Sequence, residues 1–487
     1  MMKWPSDMNP AIFPWAVMKE YPEMCEPGAV YLDIWPITPP LLIALDPDMA
    51  RQFCQEPSAP KDPLLNKQMF PYTQNLDILN LEGDEWKMWR AIFNPCFSVK
   101  NLQALLPDFI EEVELLKDTL RQAAQDGEVI KLDDATMSTG CNVVIRALLG
   151  RRLDAQTKDN LVYKMMKTQI GWIISAYNLA NLTKIINPFR QLFIWYNNRT
   201  IHKLLAPAVE EVAREVCADS PSKVNTITNL AMRAYYKRSS DKKRDAGKID
   251  EAFLAQVIAH LKLFVFAGSD TTSTTLCFAY YYLSLSTKAL AKVRAEHDAV
   301  LGPDPSRVAA VLRATPSLIT QLPYTAAVVK EVLRLNPPAA SIRAGGPDRV
   351  LVHSETKTQY PTDGFVLMSA SHAMGNNPKY YTDPDVFNPD RWFDEEGNQV
   401  HPVKNAYRPF ELGPRNCIGQ ELSRTEMTLI LCMTIREFDI TPVYPENSPT
   451  FNGHQCYMAY IPNEYLPRPK DGLPVKIKMR NHIPVSQ

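Results

Sequence analysis

The stretch FELGPRNCIGQ, residues 410–420, places one cysteine, Cys417, among two glycines, a proline and an arginine. A helical pattern, ELSRTEMTLILCMTI, follows it directly as residues 421–435. Glycine allows the backbone to approach another group closely and to adopt positive φ. A buried structural cysteine needs none of these neighbours, so the stretch indicates that the sulfur is presented to a ligand.

Composition narrows the class of protein. The 487 residues carry a net charge of -1 and are 45% hydrophobic, which is typical of a globular enzyme and argues against a nucleic-acid partner. Nine cysteines without a CxxC pair fit neither a disulfide framework nor a zinc site. Because no linker or repeat divides the chain, we expect one large domain over residues 29–487. We expect the preceding segment, residues 1–28, to lack a membrane anchor.

Periodicity predicts a fold that is mainly α with a small β region. Helical spacing runs from residue 84 to about residue 292, and short strands are predicted before residue 45 and after residue 337. A hairpin should precede a helix beginning near Asp46, and a last strand pair should join residues 454–464 to 472–479. Residues 250–286 predict one long helix, whose internal charges favour the protein core over a membrane.

The cysteine motif resembles a known signature. Phe410, Gly413, Arg415, Cys417 and Gly419 form F-x-x-G-x-R-x-C-x-G, which resembles the haem-binding signature of the cytochrome P450 family. The resemblance extends from about residue 30 to the C-terminus. It implies the cytochrome P450 fold, haem b as cofactor and Cys417 as the thiolate ligand of iron. It also implies that Arg415 pairs with a propionate, that the glycines allow close approach and that Phe410 packs near the sulfur.

One position of this motif departs from the family pattern. Glu411 stands where the family usually has a small residue, and the sequence offers no reason for it.

Further motifs follow in the order that the family has. Trp86 and Arg90, spaced i,i+4 on one helix face, resemble the family's W-x-x-x-R, and Arg343 stands where a propionate-binding arginine is expected. Both elements would therefore contact the haem propionates.

A second group is expected to be structural. Glu331 and Arg334 form E-x-x-R, and Arg391 lies in FNPDRW. By resemblance these three residues form a buried charge network behind the cysteine loop.

The stretch AGSDTTS, residues 267–273, resembles the family's A-G-x-D-T-T over the distal face of the haem. The small residues Ala267 and Gly268 would leave room for O₂. Asp270 and Thr271 would supply an acid and an alcohol that relay protons during oxygen activation.

These residues together predict a monooxygenase. It would use O₂ and electrons from NADPH–cytochrome P450 reductase to oxidise an apolar small molecule, and FNPDRW with ELGPRNCIG resembles filamentous-fungal members, many of which serve secondary metabolism. Oxidative coupling, ring formation or desaturation without oxygen insertion is the alternative within the family. Peroxide-driven oxidation and a haem-binding sensor or carrier are the others.

Partners and location are expectations of the same kind. The protein should be a monomer inside the cell, on the cytosolic face of the endoplasmic reticulum if an anchor was removed and cytoplasmic otherwise. The apolar stretch 169–186 predicts peripheral membrane contact, with burial over the substrate channel as the alternative. The substrate should meet residues 68–78, 170–177 and 339–342, the helix residues Phe264, Ala267 and Thr271, and residues 456–459.

Overall fold

The computed structural model describes residues 4–9, 12–33, 39–55, 57–152, 161–173, 182–218, 224–238, 249–400, 403–460 and 465–480. Sixteen α-helices and eleven strands lie in these ranges, with the long helices in the middle of the chain. The predicted fold class, mainly α with a small β region, is confirmed.

The elements have the following bounds. The helices are α1 Phe13–Glu20, α2 Pro47–Cys54, α3 Pro63–Thr73, α4 Gly83–Phe93, α5 Val99–Asp126, α6 Leu132–Leu149, α7 Leu161–Ile170, α8 Leu182–Ile186, α9 Arg190–Cys217, α10 Ile227–Arg238, α11 Glu251–Leu285, α12 Thr287–Leu301, α13 Val308–Ala314, α14 Pro323–Leu335, α15 Ser371–Gly375 and α16 Gln420–Thr434. The strands are β1 Ala29–Leu32, β2 Leu41–Ala44, β3 Val129–Lys131, β4 Ser341–Ala344, β5 Val350–Val352, β6 Gln359–Pro361, β7 Val366–Ser369, β8 Phe438–Pro442, β9 Met458–Ala459, β10 Arg468–Pro469 and β11 Pro474–Met479.

Side-chain caps begin several helices. Asp46 Oδ1 accepts hydrogen bonds from the Asp48 and Met49 amides at 2.9 and 3.0 Å, and Pro47 occupies the first helical position of α2. Proline suits this position because the first amide of a helix has no partner within the helix. The predicted helix start near Asp46 is confirmed.

A four-stranded sheet of order β1-β2-β7-β4 joins the two N-terminal strands to strands of residues 341–369. Strand β2 is buried along its length and pairs in parallel with β7, which pairs antiparallel with β4. The register places Arg343 opposite Leu367. The sheet therefore fixes the height at which the Arg343 side chain leaves β4.

The predicted pairing of residues 454–464 with 472–479 is wrong. Strand β9 pairs with β10, whereas β11 pairs with β8 and β3. In β11, Val475 and Ile477 are buried and alternate with exposed lysines. Its ladder with β8 sets Ile477 opposite Ile440, so the partner is chosen by burial across the sheet and not by nearness in sequence.

Helix α11 runs through the centre of the protein. Among the described residues it is the one helix long and apolar enough to cross a membrane, but 67% of its most apolar window is buried inside the fold. It packs on α6, where a Cβ added to Gly268 would lie 2.7 Å from Val144 Cγ2. The glycine therefore permits close contact between the two helices.

Prediction for the α14 contact. A Cβ added to Gly375 would lie 2.4 Å from the Arg334 carbonyl oxygen, whereas one added to Gly346 would meet no atom within 4 Å. We expect Gly375→Ala to lower the free energy of unfolding by about 1–3 kcal/mol because a rigid backbone atom must move. Gly346→Ala should change it by less than about 0.5 kcal/mol. Denaturant unfolding followed by circular dichroism measures both, and equal stability of the two variants would contradict the packing.

Candidate functional site

A cavity of about 1000 Å³ lies between α11, the cysteine loop and β4. Apolar and aromatic side chains form most of its wall, and the cysteine loop closes one side. Wall residues include Leu65, Met69, Ile78, Phe97, Leu263, Phe264, Phe266, Ile342 and Leu466. A concave, mostly apolar site with few polar groups is typical of small-molecule binding.

Cys417 is exposed to this cavity. Burial within the protein raises the pKa of its thiol, while a hydrogen bond from the Gly419 amide and the charges of Arg90 and Arg424 lower it. The net direction is upward, so the sulfur carries its proton until a metal displaces it. Among the described residues, no group of three or more His, Cys, Asp or Glu side chains could hold a metal ion.

Backbone contacts hold the cysteine loop. The Phe410 carbonyl accepts the Cys417 amide at 2.9 Å, and the Arg424 guanidinium lies 5.1 Å from the centre of the Phe410 ring. Gly413 has a φ of 90°, and a Cβ there would lie 2.5 Å from the Cys54 carbonyl oxygen at the end of α2. Glycine is required at this position for both reasons.

Three of the predicted propionate contacts meet at the loop. Arg90 donates to the Asn416 carbonyl and side-chain oxygens, both at 2.8 Å. The Arg415 guanidinium lies 4.2 Å from the centre of a Trp86 ring and forms an ion pair with Glu82. These side chains all line the cavity, so the structure brings them together as predicted from the sequence.

Arg343 is fully buried and has no anionic partner among the residues that the structure describes. Its Nη1 donates to Ser341 Oγ at 2.6 Å and to the Ile342 carbonyl at 2.8 Å, but Nε and Nη2 have no hydrogen-bond partner in the described part of the chain. Nearby, burial and the charges of Arg343 and Arg415 lower the pKa of Lys61 to about 7. Positive charge therefore exceeds negative charge on this side of the cavity.

These residues fit haem. A porphyrin needs a soft ligand for its iron, a wide apolar slot and cations for two propionates. The exposed Cys417 sulfur, the apolar wall and the unpartnered Arg343 nitrogens supply the three requirements. An unpaired buried guanidinium is costly in a finished site, so an anion is expected there.

The predicted oxygen-activating residues separate into two environments. Ala267, Gly268 and Thr271 line the cavity, and Thr271 Oγ1 donates to the Ala267 carbonyl at 2.9 Å. Asp270 faces away from the cavity and forms a buried ion pair with Arg468 of β10. Arg468 also contacts Asp133 of α6, so Asp270 belongs to a charge cluster behind the wall.

The expected charge network surrounds one buried carboxylate. Glu331 accepts from Arg334 Nε and Nη2 at 3.0 and 2.8 Å and from Arg391 Nε at 2.9 Å. The Trp392 indole and the Asn388 amide donate to it at 3.1 and 3.0 Å. Sequence reasoning missed Trp392, although it adjoins Arg391 in FNPDRW. The Trp392 ring lies 5.2 Å from the ring of Tyr407, which precedes Phe410 of the cysteine loop by three residues.

Other wall residues were also missed. Trp4, Met8 and Phe13 line the cavity, although no residue of the segment 1–28 was predicted to contact the site. Glu426 of α16 also lines it, and burial raises the pKa of its carboxyl well above the ordinary value. No local pattern signals these contacts, since each depends on an element distant in sequence.

The predicted substrate lining was partly correct. The wall includes residues of the predicted ranges 68–78 and 339–342, with Phe264, Ala267 and Thr271. Tyr460, Tyr465, Leu466 and Pro467 line it in place of residues 456–459. Of the predicted range 170–177, residues 170–173 do not line the cavity, and residues 174–177 lie outside the described residues.

A lone cysteine sulfur at the edge of a large apolar cavity, beside an excess of cations and beneath a long helix, fits a haem-thiolate protein. Comparison with known proteins agrees: the family model described as Cytochrome P450 matches residues 14–466. The chain belongs to the cytochrome P450 family.

Its relatives include enzymes of fungi and mammals. It is 34% identical over 431 residues, 88% of this chain and 76% of the relative, to cytochrome P450 monooxygenase polC of Polytolypa hystricis. Identity is 28% over 462 residues, 91% of this chain and 90% of the relative, with monooxygenase acrF of Aspergillus aculeatus. It is 25% over 366 residues, 74% of this chain and 69% of the relative, with cytochrome P450 3A13 of Mus musculus.

The protein is therefore a monooxygenase with haem b as its cofactor. Membership of the family implies O₂, a small-molecule substrate and a reductase that delivers electrons. The alternative of oxidation without oxygen insertion is not favoured by these relatives.

Prediction for the buried arginine. We expect Arg343→Met to weaken haem binding by about 10- to 100-fold, because one charge-assisted interaction with a propionate is lost. The same change should leave the haem-free protein at least as stable, because it removes a buried charge without an anion. Haem transfer to apomyoglobin and thermal unfolding of both forms measure the two effects. Arg313→Met, on an exposed part of α13, is the control; equal haem loss from both variants would contradict the assignment.

Proposed function

We propose that Cys417 is the thiolate ligand of the haem iron and that the protein oxygenates an apolar small molecule of fungal secondary metabolism. A diflavin NADPH–cytochrome P450 reductase would deliver the electrons. The observation that carries the proposal is that Cys417 and Thr271 line the same apolar cavity from opposing elements, the cysteine loop and α11.

The wall of the cavity supports an apolar substrate. Its side chains on α3, α11 and β4 are mainly aliphatic and aromatic, among them Met69, Phe264 and Ile342. Apolar surface of this kind favours a polyketide, terpenoid or alkaloid skeleton over a sugar or nucleotide. The fungal monooxygenases among the relatives agree with a role in secondary metabolism.

The protein groups would divide the work as follows. Haem, when bound, supplies the redox chemistry that activates O₂. Trp86, Arg90, Arg343 and Arg415 would hold its propionates, and the Gly419 amide would stabilise negative charge on the Cys417 sulfur by a hydrogen bond. Exclusion of water by the apolar wall strengthens each of these electrostatic contacts.

Proton handling falls to Thr271 in this proposal. Its hydroxyl bonds the Ala267 carbonyl, and rotation about Cα–Cβ would turn Oγ1 into the cavity, where it can hold or pass a proton. Asp270 would act from behind the wall through its ion pair with Arg468, so its effect on proton delivery is indirect.

Prediction for Thr271. With reductase, NADPH and a turned-over substrate from a panel of polyketide and terpenoid intermediates, we expect Thr271→Ala to form at least about tenfold less product per NADPH consumed. Hydrogen peroxide should be released in place of product. Thr271→Ser keeps the hydroxyl and should restore most of the coupling. Unchanged coupling in Thr271→Ala would overturn the role of this hydroxyl.

The iron ligand has a separate control in the same protein. Cys417→Ala should lack the red-shifted Soret band of a thiolate-ligated carbon monoxide complex, whereas Cys432→Ala, at a buried cysteine of α16, should keep it. If Cys417→Ala keeps that band, the proposed function fails.

We also propose that α8 and the start of α9 rest on the cytosolic face of the endoplasmic reticulum, with the protein as a monomer. Four large apolar side chains here are 57–72% exposed: Ile186, Phe189, Leu192 and Trp195. A contiguous exposed apolar patch marks an interaction surface, whereas single exposed apolar residues do not. The cations Lys184, Arg190 and Arg199 accompany them, which suits anionic lipid headgroups.

Prediction for the membrane surface. The double variant Ile186→Ser and Trp195→Ser should bind phosphatidylcholine–phosphatidylserine vesicles at least about tenfold more weakly, because two apolar side chains no longer enter the bilayer. The control is Leu285→Ser with Val386→Ser, which removes equally exposed apolar residues elsewhere. Flotation with vesicles measures binding. Equal binding of both double variants, or concentration-dependent dimers that only the first variant abolishes, would contradict a membrane role.

A further inference from the structure

Glu411 stands in an unusual backbone conformation within the cysteine loop. Its φ is 55°, in the left-handed region, one residue after Phe410 and six before Cys417. A residue other than glycine pays about 1–2 kcal/mol for this conformation. Glycine would be easier here, so the glutamate side chain must supply something that offsets the strain.

The carboxylate of Glu411 is held on several sides. It forms an ion pair with Arg408, whose side chain is fully buried, and its own side chain is 10% exposed. Glu411 Oε1 also accepts the Leu412 amide at 3.0 Å. Burial and then the negative charge of Glu411 raise the pKa of the Cys54 thiol, at the end of α2, to about 12, so the carboxylate lies close to that thiol. The carboxylate therefore anchors Arg408 against α2.

The Arg408 guanidinium does not use all of its hydrogen-bond donors. Its Nη1 donates to the Asn405 carbonyl at 3.3 Å, and its Nε has no hydrogen-bond partner in the part of the chain that the structure describes. Arg408 lines the cavity, as do Lys61 and Arg415. The charges of Arg408 and Arg343 both act on Cys54, so the two buried guanidinium groups lie on the same side of the site.

A cation in this position has an electrostatic problem. Lys61 and Arg415 line the same wall, and the charge of Arg343 also acts on Lys61. Like charges repel strongly where water is excluded. The negative charge of Glu411 offsets the positive charge of Arg408, and the ion pair orients the Arg408 guanidinium. Arg408 Nε then remains available to donate to an anion.

We propose that Arg408, oriented by Glu411, is a further cation of the haem propionate site. Glu411 is then a positioning residue, and the pair together sets the local charge that the haem iron experiences. This inference rests on the haem site proposed above, and it gives the departure at Glu411 a use.

The test measures haem dissociation and reduction potential of purified holoprotein. Arg408→Met should lose haem to apomyoglobin about 10- to 100-fold faster, since a charge-assisted contact is gone. Its potential should shift in the negative direction, because a nearby cation favours the reduced iron. Glu411→Gln leaves that cation uncompensated and should shift the potential in the positive direction.

The opposite signs separate this role from a merely structural ion pair. If the pair only stabilised the loop, both variants would lose haem alike and their potentials would not move apart. Glu411→Gly removes both the carboxylate and the backbone strain. Under a structural role its reduction potential should match that of the wild type, and under the proposed role its potential should match that of Glu411→Gln. Arg151→Met, in a surface ion pair with Glu211, is the control.

Two further outcomes complete the test. If Arg408→Met does not fold, Arg408→Lys keeps the charge, and its potential should lie near that of the wild type while Glu411→Gln still shifts. A wild type that binds haem with the thiolate band, beside an Arg408→Met variant with unchanged haem loss and potential, would overturn this inference alone. A wild type without that band would overturn the haem site itself.

Discussion

The buried carboxylate of Glu331 is the interaction on which the site depends. A charged group inside a protein is stable only when its lone pairs are satisfied, and Glu331 takes donors from α14 and from the turn that carries Arg391 and Trp392. That turn packs on Tyr407, three residues before Phe410. The cysteine loop has no ladder or helix of its own, so its position depends on this network together with the contacts of Arg90 to Asn416 and of Gly413 to Cys54.

The parts of the site that the sequence predicts are those whose residues lie close together along the chain. Cys417, Gly413 and Arg415 lie within a few residues of each other. A glycine at position 413 indicates close backbone approach, and the structure shows that approach to Cys54. Glu331 and Arg334 share one helix face. Local spacing therefore specifies the ligand loop and its anchor, and the structure places these residues as the spacing requires.

Local sequence patterns did not predict contacts between segments that are distant in sequence. Asp270 lies beside Thr271 in sequence, yet its side chain turns to Arg468, which belongs to a strand near the C-terminus. The small size of Gly268 has a reason that the sequence did not show, since Val144 of α6 would meet any side chain there. The partner of β11 was mistaken for a similar reason: burial across a sheet, not proximity along the chain, selects the ladder.

Electrostatics link the fold to its cofactor. A protein that only had to fold would not keep Arg343 buried with two nitrogens unpartnered, because such groups are usually paired. The unfavourable charge on this wall is tolerated since a dianionic ligand that binds only the folded state stabilises that state by mass action. Without a ligand, the site therefore keeps buried positive groups that do not stabilise the fold, which is common at functional sites. In this protein these groups leave an excess of positive charge, which the proposed propionate contacts would resolve.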